Sequence, residues 1–145
     1  MLGLFRKKAA QAGAAVQRME NKDLMEATVA IAVLVMHVSG GASDEERLKT
    51  EKVLANTPAL ANFGAQVTET YNRYDRICTE SGFMMAKVQL MREIGDVKGD
   101  QREKEDVFVT GLTVAAADGE VDEKEMSLLR QIGQALGLRP EDYLS

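Results

Sequence analysis

The segment Ala117–Met126, with the sequence ADGEVDEKEM, most constrains the fold because it separates two runs of apolar residues at helical spacing. It therefore predicts a turn between two helices. Gly119 follows Asp118 and is the residue able to take the left-handed conformation that closes the first helix. Asp122 is placed to cap the second helix, and Glu125, three residues later, is placed to complete a capping box.

The same segment carries five acidic residues, and these support a second interpretation, a cation site. A calcium-binding EF-hand loop has an oxygen ligand at its fifth position, Gly at the sixth, a ligand at the ninth and Glu at the twelfth. These four positions are filled by Asp118, Gly119, Asp122 and Glu125. The first and third positions fall on Val114 and Ala116, which have no side-chain oxygen. The segment is half of a calcium loop, so both a pure capping role and a hard-cation site completed from elsewhere in the fold stay open.

A fainter copy of this turn lies upstream. The segment 39–46, SGGASDEE, aligns with residues 117–124 at an offset of 78 residues, which pairs Gly41 with Gly119. Ser43 and Glu46 form a second capping box of the S-x-x-E type. Each copy predicts a helix, a glycine turn and an acidic helix start, and an internal duplication is the economical explanation.

The chain resembles the TerB family of tellurite-resistance proteins in several segments that agree in order and spacing. The resemblance is carried by the two acidic turns, by the entry NKDLMEATVA at 21–30 and by the ending ALGLRPEDY at 135–143. It covers nearly the whole chain. The family usually has Asp where this chain has Gly40, so the first copy lacks its leading carboxylate.

The resemblance implies a role in resistance to tellurite and related stresses, and to phage and colicins, together with other products of the ter cluster, including a membrane protein. It also implies metal binding by acidic side chains. Carried over onto this sequence, the metal ligands are Asp118, Glu120, Asp122, Glu125, Glu45 and Glu46. Ca²⁺ is the cation that best suits clusters of carboxylates. The alternative function is a metal-independent scaffold or adaptor that docks on a membrane-associated partner.

Composition, the helical spacing of the apolar residues and the repeated turn together predict an all-α fold, a compact bundle of about seven or eight short helices with an internal pseudo-twofold duplication. The 145 residues suffice for one domain with a core, and 45% of them are apolar although only 5% are aromatic. Ala, Leu, Val and Met must therefore supply the packing, and these residues are mostly compatible with helices. The two acidic turns are expected to approach each other about the pseudo-twofold axis.

The expected organisation is a basic N-terminal helix at 1–20 and a single helical domain at 21–145, with half-repeats at about 21–62 and 103–145 and further helices between 65 and 95. Asp23 is predicted to cap the central buried helix of the first half, with Glu26 completing its capping box. That helix is predicted to run to about Val38.

The net charge of −5 argues against general nucleic-acid binding, which depends on contacts with phosphates. The charge is uneven, because residues 1–19 contain four basic residues and no acid. We interpret that segment either as a basic amphipathic helix in contact with a membrane surface or as a solvated helix with a weak apolar face. The acidic remainder suits a cation or a basic partner.

The sequence contains no catalytic constellation. It has one Cys, one His, and no nucleotide-binding, hydrolase or metalloprotease motif, so an enzyme is not expected. Cys78 predicts a small buried side chain in a reducing compartment, and a reaction through its thiol is the weakest hypothesis. His37 predicts a structural role. With no secretory signal and no apolar run long enough for a bilayer, we expect a cytoplasmic protein, in one variant at the inner face of the membrane.

Overall fold

The computed structural model describes residues 17–117 and 119–143, and every regular element within these ranges is helical. The α-helices are α1 (Lys22–His37), α2 (Asp44–Ala55), α3 (Ala65–Ser81), α4 (Phe83–Gly95), α5 (Gln101–Ala116) and α6 (Glu123–Leu136). Two short 3₁₀ helices, Pro58–Phe63 and Pro140–Asp142, complete the fold. The prediction of an all-α bundle of seven or eight short helices is confirmed. No described helix combines the length and the apolar character needed to cross a bilayer.

The helix α1 lies at the centre of the bundle. Of its 16 residues, 13 are buried, so it has no face left for solvent. A helix that is apolar around its whole circumference needs partners on every side. α1 finds them in α5, with which it packs most extensively, and in α4 and α3. The predicted central helix is therefore confirmed.

The start of α1 differs from the prediction. Its cap is Asn21, whose side chain accepts a hydrogen bond from the backbone N–H of Asp23. The Asp23 carboxylate instead accepts a 2.6 Å bond from the backbone N–H of Lys98, and Glu26 pairs with Arg73. These two acids tie α1 to distant segments, and a local sequence pattern cannot reveal such contacts.

The predicted N-terminal helix at 1–20 falls mostly outside the described residues. The described part of that segment, 17–20, has no regular secondary structure. Met19 is buried, its backbone N–H donates to the carbonyl of Ala59, and its carbonyl accepts a bond from the Asn62 side chain. Residues 17–20 are thus attached to the domain as an irregular segment, and the predicted helix is wrong for these four residues.

Two helix–turn–helix units, α1–α2 and α5–α6, have matching boundaries. α1 and α5 each contain 16 residues, and their starts, their ends and the starts of the following helices all differ by 79 residues, as from Lys22 to Gln101. The same offset pairs Gly40 with Gly119, which both have a positive φ and both donate to the carbonyl three residues earlier. The predicted offset of 78 is therefore wrong by one residue, because an alignment on Gly41 ignores the helix boundaries. The matching boundaries support the predicted internal duplication.

The helices α1 and α5 approach each other closely at Gly111. A Cβ atom on Gly111 would lie 2.7 Å from Cγ2 of Ile31, closer than packed carbon atoms come, so only glycine fits without a shift. This contact fixes the separation of the two central helices. The turns that follow these helices are consequently held next to each other.

Candidate functional site

The turn between α1 and α2 lies against the turn between α5 and α6. The Ser39 hydroxyl, in the first turn, donates a 3.0 Å hydrogen bond to Oδ2 of Asp122, the cap of α6. These two residues are 83 positions apart in the sequence, so the bond joins the two units directly. The predicted approach of the two acidic turns is confirmed.

Both predicted capping boxes are formed. In the first box, the Glu46 N–H donates to Oγ of Ser43 and the Ser43 N–H donates to Oε1 of Glu46, both at 3.1 Å. In the second box, the Glu125 N–H donates to Oδ1 of Asp122 at 2.8 Å, and the Asp122 N–H donates to Oε1 of Glu125 at 3.0 Å. Each box satisfies two backbone donors at the start of a helix. The carboxylates therefore have a complete structural role before any ligand is considered.

A cavity of about 170 Å³ lies between the two capping boxes. Its polar lining consists of Glu46, Asp122, Glu125, Ser39 and Thr50. Its apolar lining comes from α1 and α5, through Ala32, Val35, Met36, Val114 and Ala115. Three carboxylates around one small cavity with low-dielectric walls concentrate a negative potential there. The site therefore favours a positively charged ligand.

Thr50 is the most unusual residue of this lining. It is only 9% exposed, and it lines the cavity from α2. At the equivalent position, 79 residues later, α6 has the fully buried Leu129. The hydroxyl in α2 thus stands where the second unit has a core leucine.

Five of the six predicted metal ligands lie among the described residues, and these five do not form a single cluster. Three of them line the cavity: Glu46, Asp122 and Glu125. Glu45 points away from it and lies 3.9 Å from Lys49 on the exposed face of α2, and Glu120 is exposed and outside the lining. Asp118 lies outside the described residues. In the part of the chain that the structure describes, no three His, Cys, Asp or Glu side chains are grouped so that they could hold a metal ion.

The corrected offset of 79 residues changes which residue of the second turn corresponds to Gly40. At 79 residues, Gly40 corresponds to Gly119, and Ser39 corresponds to Asp118. The carboxylate missing from the first turn is therefore replaced by the Ser39 hydroxyl, which bonds to Asp122. Sequence reasoning missed Ser39 and Thr50 as lining residues, since hydroxyl side chains are common in turns and helices. The correct offset is the signal that would have identified Ser39.

A second polar cluster holds α2 and α3 against the end of α1. Nε2 of His37 lies 2.6 Å from Oδ1 of Asp75, and Nε of Arg47 donates to the two Asp75 oxygens at 3.2 and 3.0 Å. The Tyr71 hydroxyl donates to the Arg47 carbonyl. His37 is thus paired with a structural partner, as predicted. Sequence reasoning missed Asp75, although it directly follows the buried Tyr74 in an amphipathic helix.

Cys78 lies on the buried face of α3. It is 5% exposed, and burial, with a smaller contribution from the charge of Asp75, raises the pKa of its thiol to about 11. The thiol is therefore protonated near neutral pH, whereas the thiolate is the reactive form. The predicted burial of Cys78 is confirmed, and its environment argues against a reaction through this thiol.

A family model described as "Tellurite resistance protein TerB" matches residues 25–145. The matched range contains nearly all of α1, both acidic turns and every residue of the cavity lining. No curated protein and no solved structure was found to match the chain.

Proposed function

Because the chain belongs to the TerB family of tellurite-resistance proteins, we propose that it is a non-catalytic module that binds a hard divalent cation between its two acidic turns. The family itself is generally non-catalytic. The observation that carries the proposal is the convergence on one cavity of Glu46 from the first unit with Asp122 and Glu125 from the second.

The side-chain types that line the cavity are those that hard cations prefer, although no three of the described acidic side chains form a ready-made metal group. The polar lining offers carboxylate and hydroxyl oxygens, with no thiol or imidazole among the described residues. Hard cations prefer oxygen ligands, and Ca²⁺ is the first candidate. The hydroxyl of Thr50 adds a further polar oxygen to the lining.

In this proposal the protein acts in the response to tellurite and related stresses, and in the phage resistance associated with the family. Its partners are other ter-cluster proteins, including a membrane protein, and it acts in the cytoplasm at the inner face of the membrane. A cation between α2 and α6 adds attraction between two helices that otherwise approach through like charges. Binding therefore stabilises the folded state and fixes the surface formed by the two turns.

Calorimetric titration of the metal-free protein with Ca²⁺, Mg²⁺ and Zn²⁺ tests the proposal. We expect saturable binding, with a preference for Ca²⁺ and Mg²⁺ over Zn²⁺ because the polar side chains of the lining are carboxylates and hydroxyls. Asp122→Asn removes a negative charge but keeps a good helix cap. We expect this variant to weaken binding by about tenfold or more.

Asp100→Asn is the matched control. Asp100 caps α5 in an identical capping box with Glu103, but it does not belong to the cavity lining. We expect its affinity for the cation to equal that of the wild type. The proposal is refuted if the wild type gives no saturable heat at millimolar ion, or if both variants lose binding equally.

A second candidate function, a metal-independent adaptor, is favoured by exposed apolar side chains on α4. Met84, Met85 and Val88 are 80%, 65% and 49% exposed. Clusters of exposed apolar side chains, and of Met in particular, are typical of interaction surfaces. Lys87 of α4, which precedes Val88, lines a groove together with Lys124 and Glu123 of α6, so two basic side chains face one acidic side chain there. The surface therefore suits an apolar segment of a membrane-associated protein that also carries acidic side chains.

Co-sedimentation with vesicles that contain the ter-cluster membrane protein tests this second candidate. In the presence of EDTA we expect binding to persist, to weaken as the salt concentration rises, and to be lost in Met84→Ser/Met85→Ser. Leu48→Ser, which replaces an exposed leucine on α2, is the control and should bind normally. Binding that EDTA abolishes would argue for the cation-dependent function instead.

A further inference from the structure

We propose that Met84 and Met85 form a modification site, at which hydrogen peroxide converts two exposed thioethers to sulfoxides and so switches off the apolar surface of α4. The site itself depends on neither function proposed above. The switch rests on the second candidate function, docking through this surface. Three features of the molecule support the proposal: the exposure of the pair, the cover over the other described methionines, and the position of the pair on α4.

Met84 and Met85 stand at the corner between two helices. Gly82, with a positive φ, ends α3 and begins α4, and the pair lies in the first turn that follows. Among the described residues, these two have the most exposed of the large apolar side chains. A thioether reacts with a peroxide only when the two come into contact, so exposure controls the rate of oxidation. We therefore expect this pair to be oxidised first.

The other described methionines are covered by the fold. Three are buried and two are partly buried, in the order Met19, Met25, Met36, Met91 and Met126. The sulfur of Met19 lies 3.7 Å from the hydroxyl of Thr28 in the core. The sulfur of Met36 lies 3.6 Å from the hydroxyl of Tyr71, which is also buried. A peroxide molecule reaches these sulfurs only when the bundle opens, so the fold makes the reaction selective.

The position of the pair on α4 lets the fold tolerate the added oxygen atoms. The inward face of α4 consists of the fully buried Ala86, Leu90 and Ile94, whereas Met84 and Met85 lie on its exposed side. A sulfoxide oxygen on that side meets water and not packed side chains. In addition, α4 begins without a side-chain cap, and the first N–H groups of a helix need acceptors such as this oxygen. We therefore expect oxidation to leave the fold intact.

The reaction transfers one oxygen atom to each sulfur. A lone pair of the thioether attacks one oxygen of hydrogen peroxide, the O–O bond breaks as the S–O bond forms, and the other oxygen leaves as water after a proton transfer. The sulfur is oxidised by two electrons and the peroxide is reduced by two, so each sulfoxide consumes one peroxide. The product is polar, so Met84, Met85 and Val88 no longer form a continuous apolar surface. Docking that depends on burying this surface is therefore weakened.

Mass spectrometry of the whole chain after treatment with dilute hydrogen peroxide tests the site. We expect two oxygen atoms to be added first, and peptide mapping to place them on Met84 and Met85. The variant Met84→Leu/Met85→Leu keeps the surface apolar and should gain no oxygen under the same conditions. Met91→Leu is the matched control, because Met91 belongs to the same helix but is partly buried, and it should be oxidised like the wild type. The melting temperature of the oxidised wild type should equal that of the reduced protein.

The switch is measured by retention on a phenyl resin and by the vesicle co-sedimentation used for the second candidate function. Oxidation should shorten the retention of the wild type and weaken its binding to the vesicles by about tenfold or more. Peroxide treatment should change neither value in Met84→Leu/Met85→Leu, which has no sulfur at these positions.

The outcomes separate the site, the switch and the function on which the switch rests. Earlier oxidation of another methionine, or a lower melting temperature once Met84 and Met85 are oxidised, overturns the site. Selective oxidation with unchanged retention and unchanged vesicle binding overturns the switch and leaves the site standing. Failure of the reduced wild type to bind the vesicles overturns the second candidate function and the switch together, while the mass measurement still decides the site.

Discussion

The two helix–turn–helix units carry the same local signals but are anchored in the bundle to different degrees. The buried residues of α6 are Leu128, Leu129, Ile132, Gly133 and Leu136. α2 buries only Thr50 and Leu54, and polar contacts such as the Arg47–Asp75 pair hold it in place. Apolar burial stabilises a helix more than a partly exposed ion pair does. We therefore expect the α6 side of the cavity to have the higher local stability and the α2 side to unfold locally more readily.

The largest expected effect comes from truncating a core residue of α6 and its equivalent in α2. Leu129→Ala should lower the free energy of unfolding by about 2–5 kcal/mol, through lost burial and a residual cavity. Thr50→Ala should lower it by about 1 kcal/mol or less, because a small side chain beside a cavity loses few contacts. Urea unfolding measures both values. Equal losses would show that the two helices are anchored alike.

The next effect tests the polar attachment of α2. Asp75→Asn removes the charge that faces His37 and Arg47, and should lower the free energy of unfolding by about 1–3 kcal/mol. Amide hydrogen exchange should become faster in α2 and stay unchanged in α6. Glu26→Gln is the control, because it removes an ion pair whose partner Arg73 is mostly exposed, and should change stability by less than about 1 kcal/mol. Faster exchange in both helices would show that the contacts of Asp75 stabilise the whole bundle and not α2 in particular.

The smallest effect concerns the two helix caps. Ser43→Ala and Asp122→Ala should each lower the free energy of unfolding by about 1 kcal/mol through the lost cap. The total loss in Asp122→Ala should exceed the loss in Ser43→Ala by about 0.5–1.5 kcal/mol, because Asp122 also accepts the bond from Ser39. Thermal unfolding monitored by circular dichroism measures the difference. Identical losses would mean that the bond between the two turns contributes nothing to stability.

Features that depend on neighbouring residues could be predicted from the sequence. The capping boxes at Ser43 and Asp122 follow from residue types three positions apart, and both are present. The burial of α1 follows from its continuous apolar sequence. The cap of α1 could not be assigned correctly, because Asp23 bonds to the backbone of Lys98, 75 residues away.

The candidate site could be predicted only in part for the same reason. The acidic content of the turns identified the region, but not which carboxylates face inward. Glu46 lines the cavity and its neighbour Glu45 does not, since adjacent residues of a helix point in different directions. Which direction is inward depends on how α2 packs on the rest of the bundle. Thr50 was missed because only tertiary packing leaves its hydroxyl buried beside an open space.

The close contact between Gly111 and Ile31 means that the residue type at position 31 of α1 limits the residue type at position 111 of α5. A larger residue at position 111 is tolerated only when position 31 becomes smaller, so the two positions are expected to change together among TerB proteins. Gly111→Ala alone should destabilise the protein, and a second change, Ile31→Ala, should recover part of the loss. The crossing point of the two central helices is therefore constrained at positions 31 and 111 together.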